Sequence, residues 1–386
     1  MNSRERVNTA LNHKEPDLVP LDLGGNVSGI HIKAYKKLLK YLEIEDKNIR
    51  YYDFIQQLTL PCEELLKRLK IDTRYIRPFN SISMANEVKL EYEGKWVGVY
   101  DQFGCFWGNF AHKNLEDILY YDPVIHPFAD FKTVQEIESY NWPDGREKTP
   151  FVGLKEYAKM LRVETDYALV TQTSGCVYEY TTFLFGFTKA LRFLHTKPEL
   201  IVAAMEGLLK YWIEYNITFL NEVGEFLDVI CVNGDLAEQA GPIMNLKMYE
   251  QLIKPLEKKL SEKIHELADV KINYHCCGST PLFIPHWAEI GYDIYNPVQI
   301  SAYDMEPCSL KQRFGNIITF WGGLCNTQAT LPFGTPKDIR LEVKKNIECF
   351  KPGGGFVAAN IHNITAEVPP QNIVAMFDAA NEFRNY

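Results

Sequence analysis

The chain has 386 residues, 46% of them hydrophobic and 24% charged, with a formal net charge of -9 at pH 7. That balance describes a packed soluble globule, and an acidic excess without a basic patch argues against nucleic-acid or anionic-membrane surfaces. Nine cysteines with no secretory leader do not read as a disulfide framework, and no apolar run approaches bilayer length, so the cytoplasm is the expected compartment.

Short β-rich runs recur with helical stretches between them. Candidate strands fall at 18–23, 71–76, 168–172, 227–232, 270–274, 293–297, 317–321 and 356–360. Eight βα units predict a parallel sheet closed into a single α/β barrel, (β/α)8 or TIM type, spanning 1–386. An insertion at 79–151, after the second run, interrupts the cadence. It starts with the alternating Val88-Lys89-Leu90-Glu91-Tyr92, turns at Glu93-Gly94-Lys95 and returns through Trp96, Val97 and Val99, which predicts a hairpin acting as a cap or edge extension. The proline-punctuated stretch that follows carries a short helix near 134–140. Residues 201–223 have helical spacing, and Pro369-Pro370 opens a final helix with Ile373, Met376, Phe377 and Ala380 on one face. Gly353-Gly354-Gly355 has the composition of a phosphate cradle. It precedes the last strand, at the wrong end of a barrel, so a tight turn is expected.

In such barrels chemistry gathers at the carboxyl ends of strands. The run 270–274 ends in His275-Cys276-Cys277-Gly278. Alternation along a strand puts His275 and Cys277 on one face and Cys276 on the other. Imidazole beside thiolate suits zinc, the bland alternative being a buried histidine among small apolar thiols. Other strand ends carry Asn233-Gly234-Asp235 with Glu238-Gln239, Asn296 with Gln299, Gly322-Gly323-Leu324-Cys325-Asn326, and Asn360-Ile361-His362-Asn363. Convergence of His275, Cys277, Cys325 and His362 on one rim points to a metal site. Of the aromatic cluster after the third run, most reads as core, while Tyr178 and Tyr180 are candidates for substrate binding. Asp101-Gln102-Phe103-Gly104 predicts a turn of the insertion that reaches the barrel mouth. No HExxH, G-x-S-x-G, Walker loop or strand-anchored G-x-G-x-x-G occurs, so the usual parts for peptidase, nucleotide and hydride chemistry are missing.

Several pieces carry a resemblance: Arg4-Glu5-Arg6-Val7 with Glu15-Pro16-Asp17, Asn141-Trp142-Pro143-Asp144, Gly234-Asp235, His275 to Gly278, Asn296-Pro297-Val298-Gln299, Leu331-Pro332-Phe333-Gly334-Thr335-Pro336, and His362-Asn363-Ile364 followed by Val368-Pro369-Pro370-Gln371-Asn372-Ile373. Over nearly its whole length the chain resembles the uroporphyrinogen decarboxylase superfamily. That superfamily unites haem-pathway decarboxylases with zinc methyltransferases that exchange methyl groups with corrinoid proteins, and the resemblance implies a (β/α)8 barrel. The decarboxylases grip porphyrinogen carboxylates with an arginine-rich motif after the first strand, whereas Leu23-Gly24-Gly25-Asn26-Val27-Ser28-Gly29-Ile30-His31 contains no arginine. The chain is therefore more similar to the methyltransferase branch, whose H-x-C and further ligand fall on His275, Cys277 and His362. The third position is typically cysteine in the coenzyme M enzymes, so Cys325 stays open as an alternative to His362.

What the resemblance implies is a zinc-dependent, corrinoid-dependent methyltransferase acting on a small methylated, oxygen-linked molecule. Asp235, Gln239 and Asn296 are candidate catalytic groups that orient the imidazoles or hold the substrate. No histidine has an aspartate two residues earlier, so the D-x-H-x-x-G cobalt-ligand motif is absent and the corrinoid (cobalamin) is expected on a separate partner protein. Two other readings stand beside this one: a metal-free decarboxylase-like lyase acting on a small carboxylate, and a non-catalytic small-molecule-binding barrel.

Overall fold

The computed structural model describes residues 1–25, 27–78 and 90–386. Seven strands, β1 (Thr73–Ile76), β2 (Ala168–Cys176), β3 (Val229–Asn233), β4 (Lys271–His275), β5 (Ile294–Asn296), β6 (Thr319–Gly323) and β7 (Phe356–Ala359), form one parallel sheet in chain order. All six neighbouring pairs are parallel, and long helices such as Pro198–Val223, Pro336–Phe350 and Pro370–Phe383 intervene or follow. The sheet curls into a half-barrel, consistent with a TIM barrel.

The remaining expected run, 18–23, forms no regular strand. Pro20 has no N–H to give, and the segment bonds in fragments. Ala358 N donates to Pro20 O (2.9 Å), Asp22 N donates to Ala358 O (2.9 Å), and Asp72 N donates to Leu21 O (2.8 Å). Residues 20–22 thus touch β7 on one side and the entry to β1 on the other. The buried Asp22 carboxylate strengthens this link by accepting from Ser28 Oγ (2.6 Å), Thr73 Oγ1 (2.5 Å), Tyr75 OH (3.1 Å) and Trp321 Nε1 (2.9 Å).

Strand alternation sorts the core into two layers. Val170, Val229, Cys231, Ile294, Trp321, Val357 and Ala359 form an inner cluster that also includes Val7 and Leu11 of the helix Ser3–Leu11. Their strand neighbours Leu169, Ile230, Ile272, Tyr274, Tyr295, Phe320 and Ala358 belong to the larger cluster shared with the helices. The period of two places Asn233, His275 and Asn296, at the carboxyl ends of β3, β4 and β5, on the inner side.

Between β1 and β2 the strands Glu91–Glu93, Trp96–Tyr100, Phe106–Phe110 and Asp122–Ile125 form an antiparallel sheet. The expected hairpin is its first pair, with Glu93 opposite Trp96; Val88 and Lys89 lie outside the described residues. A helix at Val134–Glu138 follows. Gly353, Gly354 and Gly355 all have positive φ, and a Cβ on Gly354 would stand 2.2 Å from Lys14 O, so this triplet makes a turn against the amino-terminal segment. Cys308 and Cys349 are joined by a disulfide, and the other seven cysteines are free. Among the described residues no helix is long and apolar enough to cross a membrane.

Candidate metal centre and adjoining cavity

Register builds the site. Asn233 pairs with Cys176 on β2 and with His275 on β4, and His275 pairs with Asn296 on β5, so four strand ends set these side chains in one row. Within it His275 Nδ1 and Asn296 Oδ1 are 2.6 Å apart. Asn296 Nδ2 donates to Trp321 O (2.9 Å), which fixes its amide orientation and makes Oδ1 the acceptor for the imidazole N–H. The lone pair of His275 is then on Nε2, the atom 3.5 Å from Cys277 Sγ.

His362, just beyond β7, completes a group. One donor atom each from His275, Cys277 and His362 lies within 4.8 Å of the others, and the two imidazole centroids are 5.8 Å apart. Burial lowers the pKa of both histidines to about 4, the His362 value also reflecting the charge of its neighbour His275, so both rings are neutral at pH 7. Burial together with the Asp235 carboxylate pushes the Cys277 thiol well up. A cation among them would reverse that by stabilising the thiolate. Asp235 Oδ1 accepts from Cys277 N (2.8 Å) and Gln299 Oε1 accepts from Gly278 N (2.7 Å), anchoring the loop that presents the thiol. Gly278 has φ +92 and its Cβ position would lie 2.7 Å from the Ala237 backbone, so only glycine fits that crossing. Cys276 points away, its sulfur accepting from Leu236 N (3.2 Å).

Cys325 does not join the group. Gly322 and Gly323 take φ +131 and +73, the chain turns, and the Cys325 side chain is buried against Glu342, whose charge adds to burial in raising its pKa. Gln239 is likewise elsewhere: the ribbon Ala237–Glu238 and Gly241–Pro242 places it exposed at its tip, where its carbonyl accepts from Tyr303 N. Gln299 stands by the metal group instead.

A cavity of about 700 Å³ opens beside the row, lined by Cys176 and Asn233 and, above them, by residues of the antiparallel sheet and the helices Tyr178–Phe185 and Pro198–Val223. Tyr180 lines it, and its hydroxyl donates to Asp101, a residue of the predicted turn. Tyr178, two residues earlier and so about 200° round the helix, is buried in the core instead. Glu179 also faces the cavity and was not singled out by the sequence. Its carboxyl meets Cys176 Sγ (3.5 Å) and the backbone N–H of Asp235, and burial plus the Asp235 charge raise its pKa to about 8. The contacts Glu179–Asp235–Cys277 link the cavity to the candidate metal ligands.

A family model described as uroporphyrinogen decarboxylase (URO-D) matches residues 120–383, more than half of the chain and including every residue of the metal group. The chain belongs to the uroporphyrinogen decarboxylase family. Membership supports an enzyme. No curated protein matches the chain in sequence. Among solved structures, a methyltransferase from Methanosarcina mazei superposes with TM-score 0.63 at 16% identity, covering 99% of each chain, a likeness of fold. Xylanase 10B from Thermotoga maritima matches 61% of this chain and 80% of its own with TM-score 0.36 and 11% identity. A candidate vitamin-B12-independent methionine synthase from Listeria monocytogenes matches 96% and 100% with TM-score 0.43 and 12% identity.

Proposed function

We propose that this URO-D family chain is a zinc-dependent methyltransferase that moves a methyl group between a small oxygen-linked methyl compound and a corrinoid carried by a separate protein. The observation that carries it is the convergence of two neutral imidazoles and a thiol, with donor atoms within 4.8 Å, from the ends of β4 and β7 beside a cavity. The donor set fits zinc: two nitrogens and one sulfur supply three of the four positions of a tetrahedral catalytic site. His275, Cys277 and His362 would hold the ion, which when bound supplies a Lewis acid for the oxygen that loses its methyl group. Asn296 holds the His275 tautomer, and Asp235 and Gln299 hold the loop of Cys277.

The lyase reading on a small carboxylate draws on the family's name. Against it, no lysine, arginine or histidine is among the described residues that line the cavity, so a carboxylate would enter without a charged partner. The decisive assay supplies reduced cobalamin or a corrinoid protein with a methylated donor, and follows methyl transfer together with zinc content. Transfer should need both corrinoid and zinc, and uroporphyrinogen should be left untouched. Carboxylate breakdown without corrinoid would replace this reading with the lyase.

A further inference from the structure

The cavity's chemistry goes further than its position. Its walls include Tyr100, Trp107, Tyr180, Phe183, Tyr211 and Trp212, and its volume of about 700 Å³ is in the range that encloses an organic ring rather than a one-carbon alcohol. Five carboxyl groups of the described residues line it, which at first sight suits a cation held by aromatic faces. Four of the five are already engaged. Asp101 accepts from Trp107 Nε1 (2.6 Å), from Tyr180 OH and from the backbone N–H groups of Phe103 and Cys105. Asp53 accepts from Gln56 N (3.0 Å) and Gln56 Nε2 (3.2 Å) and feels the Arg77 charge. Asp144 pairs with Arg146 (2.9 Å), and Glu147 accepts from Thr149 N (2.8 Å) and Thr149 Oγ1 (2.5 Å).

Glu179 is the fifth. It receives the Asp235 N–H, and its Cys176 contact at 3.5 Å is weak. Burial, and after it the Asp235 charge, push its pKa up, which favours the protonated form that offers an O–H. Among its described residues the cavity therefore offers no cation for an anionic ligand and little unengaged negative charge for a cationic one.

We propose that this cavity binds an uncharged aromatic ether, its ring between the tyrosine and tryptophan walls and its ether oxygen accepting a hydrogen bond from the Glu179 carboxyl. The assignment names the substrate class of the methyltransferase reading and rests on that reading for the ether linkage. Through Glu179–Asp235–Cys277 it puts the oxygen on the side of the cavity nearest the metal group.

The test uses the full chain as purified and reads tryptophan fluorescence, since Trp107 and Trp212 line the cavity. Three probes of one ring size are titrated without corrinoid: anisole, its carboxylate analogue p-anisate, and trimethylphenylammonium. Anisole should quench saturably, with the two charged probes at least about tenfold weaker for want of a partner charge. Loss of one hydrogen bond in Glu179→Ala should weaken anisole by about tenfold, whereas Glu179→Gln, uncharged and still a donor, should stay within about threefold. Circular dichroism of each variant confirms folding. Equal or tighter binding of either charged probe, or unchanged anisole affinity in folded Glu179→Ala, overturns the assignment. The expected binding pattern without methyl transfer to cobalamin would refute the enzyme reading and leave the cavity assignment standing; methyl transfer from donors that never quench would refute the cavity assignment alone.

Discussion

His275 and Asn296 occupy matched positions on neighbouring strands, with Nδ1 and Oδ1 2.6 Å apart. A backbone register thereby sets a side-chain tautomer: the asparagine is locked by Trp321 O, the imidazole N–H is locked by the asparagine, and Nε2 is left to face Cys277. Such partners typically change metal affinity by about 10–100-fold when removed. Asn296→Ala should therefore weaken zinc binding by about that factor in chelator competition, with zinc still stoichiometric at saturation. An unchanged affinity would mean that the hydrogen bond orients nothing that matters to the metal.

The ligand set itself makes a sharper prediction. Purified protein should contain about one zinc per chain by elemental analysis, as expected for a three-ligand catalytic site. Cys277→Ala and His362→Ala should each lose most of it. Cys276→Ala and Cys325→Ser should keep it, because one sulfur faces Leu236 N and the other lies against Glu342. Zinc lost from Cys325→Ser but kept in His362→Ala would reverse the assignment of the third ligand.

Asp22 tests how the half-barrel is held together. Its carboxylate accepts four side-chain bonds, from Ser28, from Thr73 and Tyr75 of β1 and from Trp321 of β6. Asp22→Ala strands the Thr73 hydroxyl and the Trp321 indole N–H, whereas Ser28 keeps Gly24 O and Tyr75 keeps Ser28, so at roughly 1–3 kcal/mol for each unsatisfied group the loss should be about 2–6 kcal/mol. Chemical denaturation should show it as a lower midpoint with an unchanged slope. A loss below about 1 kcal/mol would mean that water or a shifted neighbour satisfies the donors.

What could be read from the sequence follows from how local each signal is. The strand runs are rich in β-branched and aromatic residues, so seven of eight became strands, and alternation alone put His275 on the inner side and Cys276 opposite. Run 18–23 failed as a strand because Pro20 removes a donor and Asp22 bonds through its side chain. Cys325 was misplaced by two glycines whose positive φ turns the chain, and Gln239 by a ribbon only two residues wide on each strand. Glu179 gave no signal. In sequence it is an ordinary first-turn glutamate of a helix, and its shifted pKa comes from burial in the fold and from the charge of Asp235, which follows β3 more than fifty residues later.

Glu257 provides a pH test independent of any ligand. Its carboxyl is buried and accepts from Tyr274 OH (2.6 Å) and Tyr249 OH (2.9 Å), yet burial outweighs these bonds and lifts its pKa from 4.5 to about 7. Between those values the folded chain holds a proton that the unfolded chain releases, so this group's contribution is fully present below about pH 4.5 and is lost as pH rises through about 7. The span corresponds to about 3 kcal/mol at 1.36 kcal/mol per unit. Other buried carboxyls, Glu179 among them, titrate in the same direction, so the quantity to measure is the difference between the chain and Glu257→Gln. Chemical denaturation at pH 5 and pH 8 should show the wild type losing about 2.5 kcal/mol more than the variant across that interval, with Tyr274 or Tyr249 turning its hydroxyl to meet the amide. Parallel curves for the two proteins would show that Glu257 stays ionised in the core and that its two tyrosine bonds, not burial, set its charge.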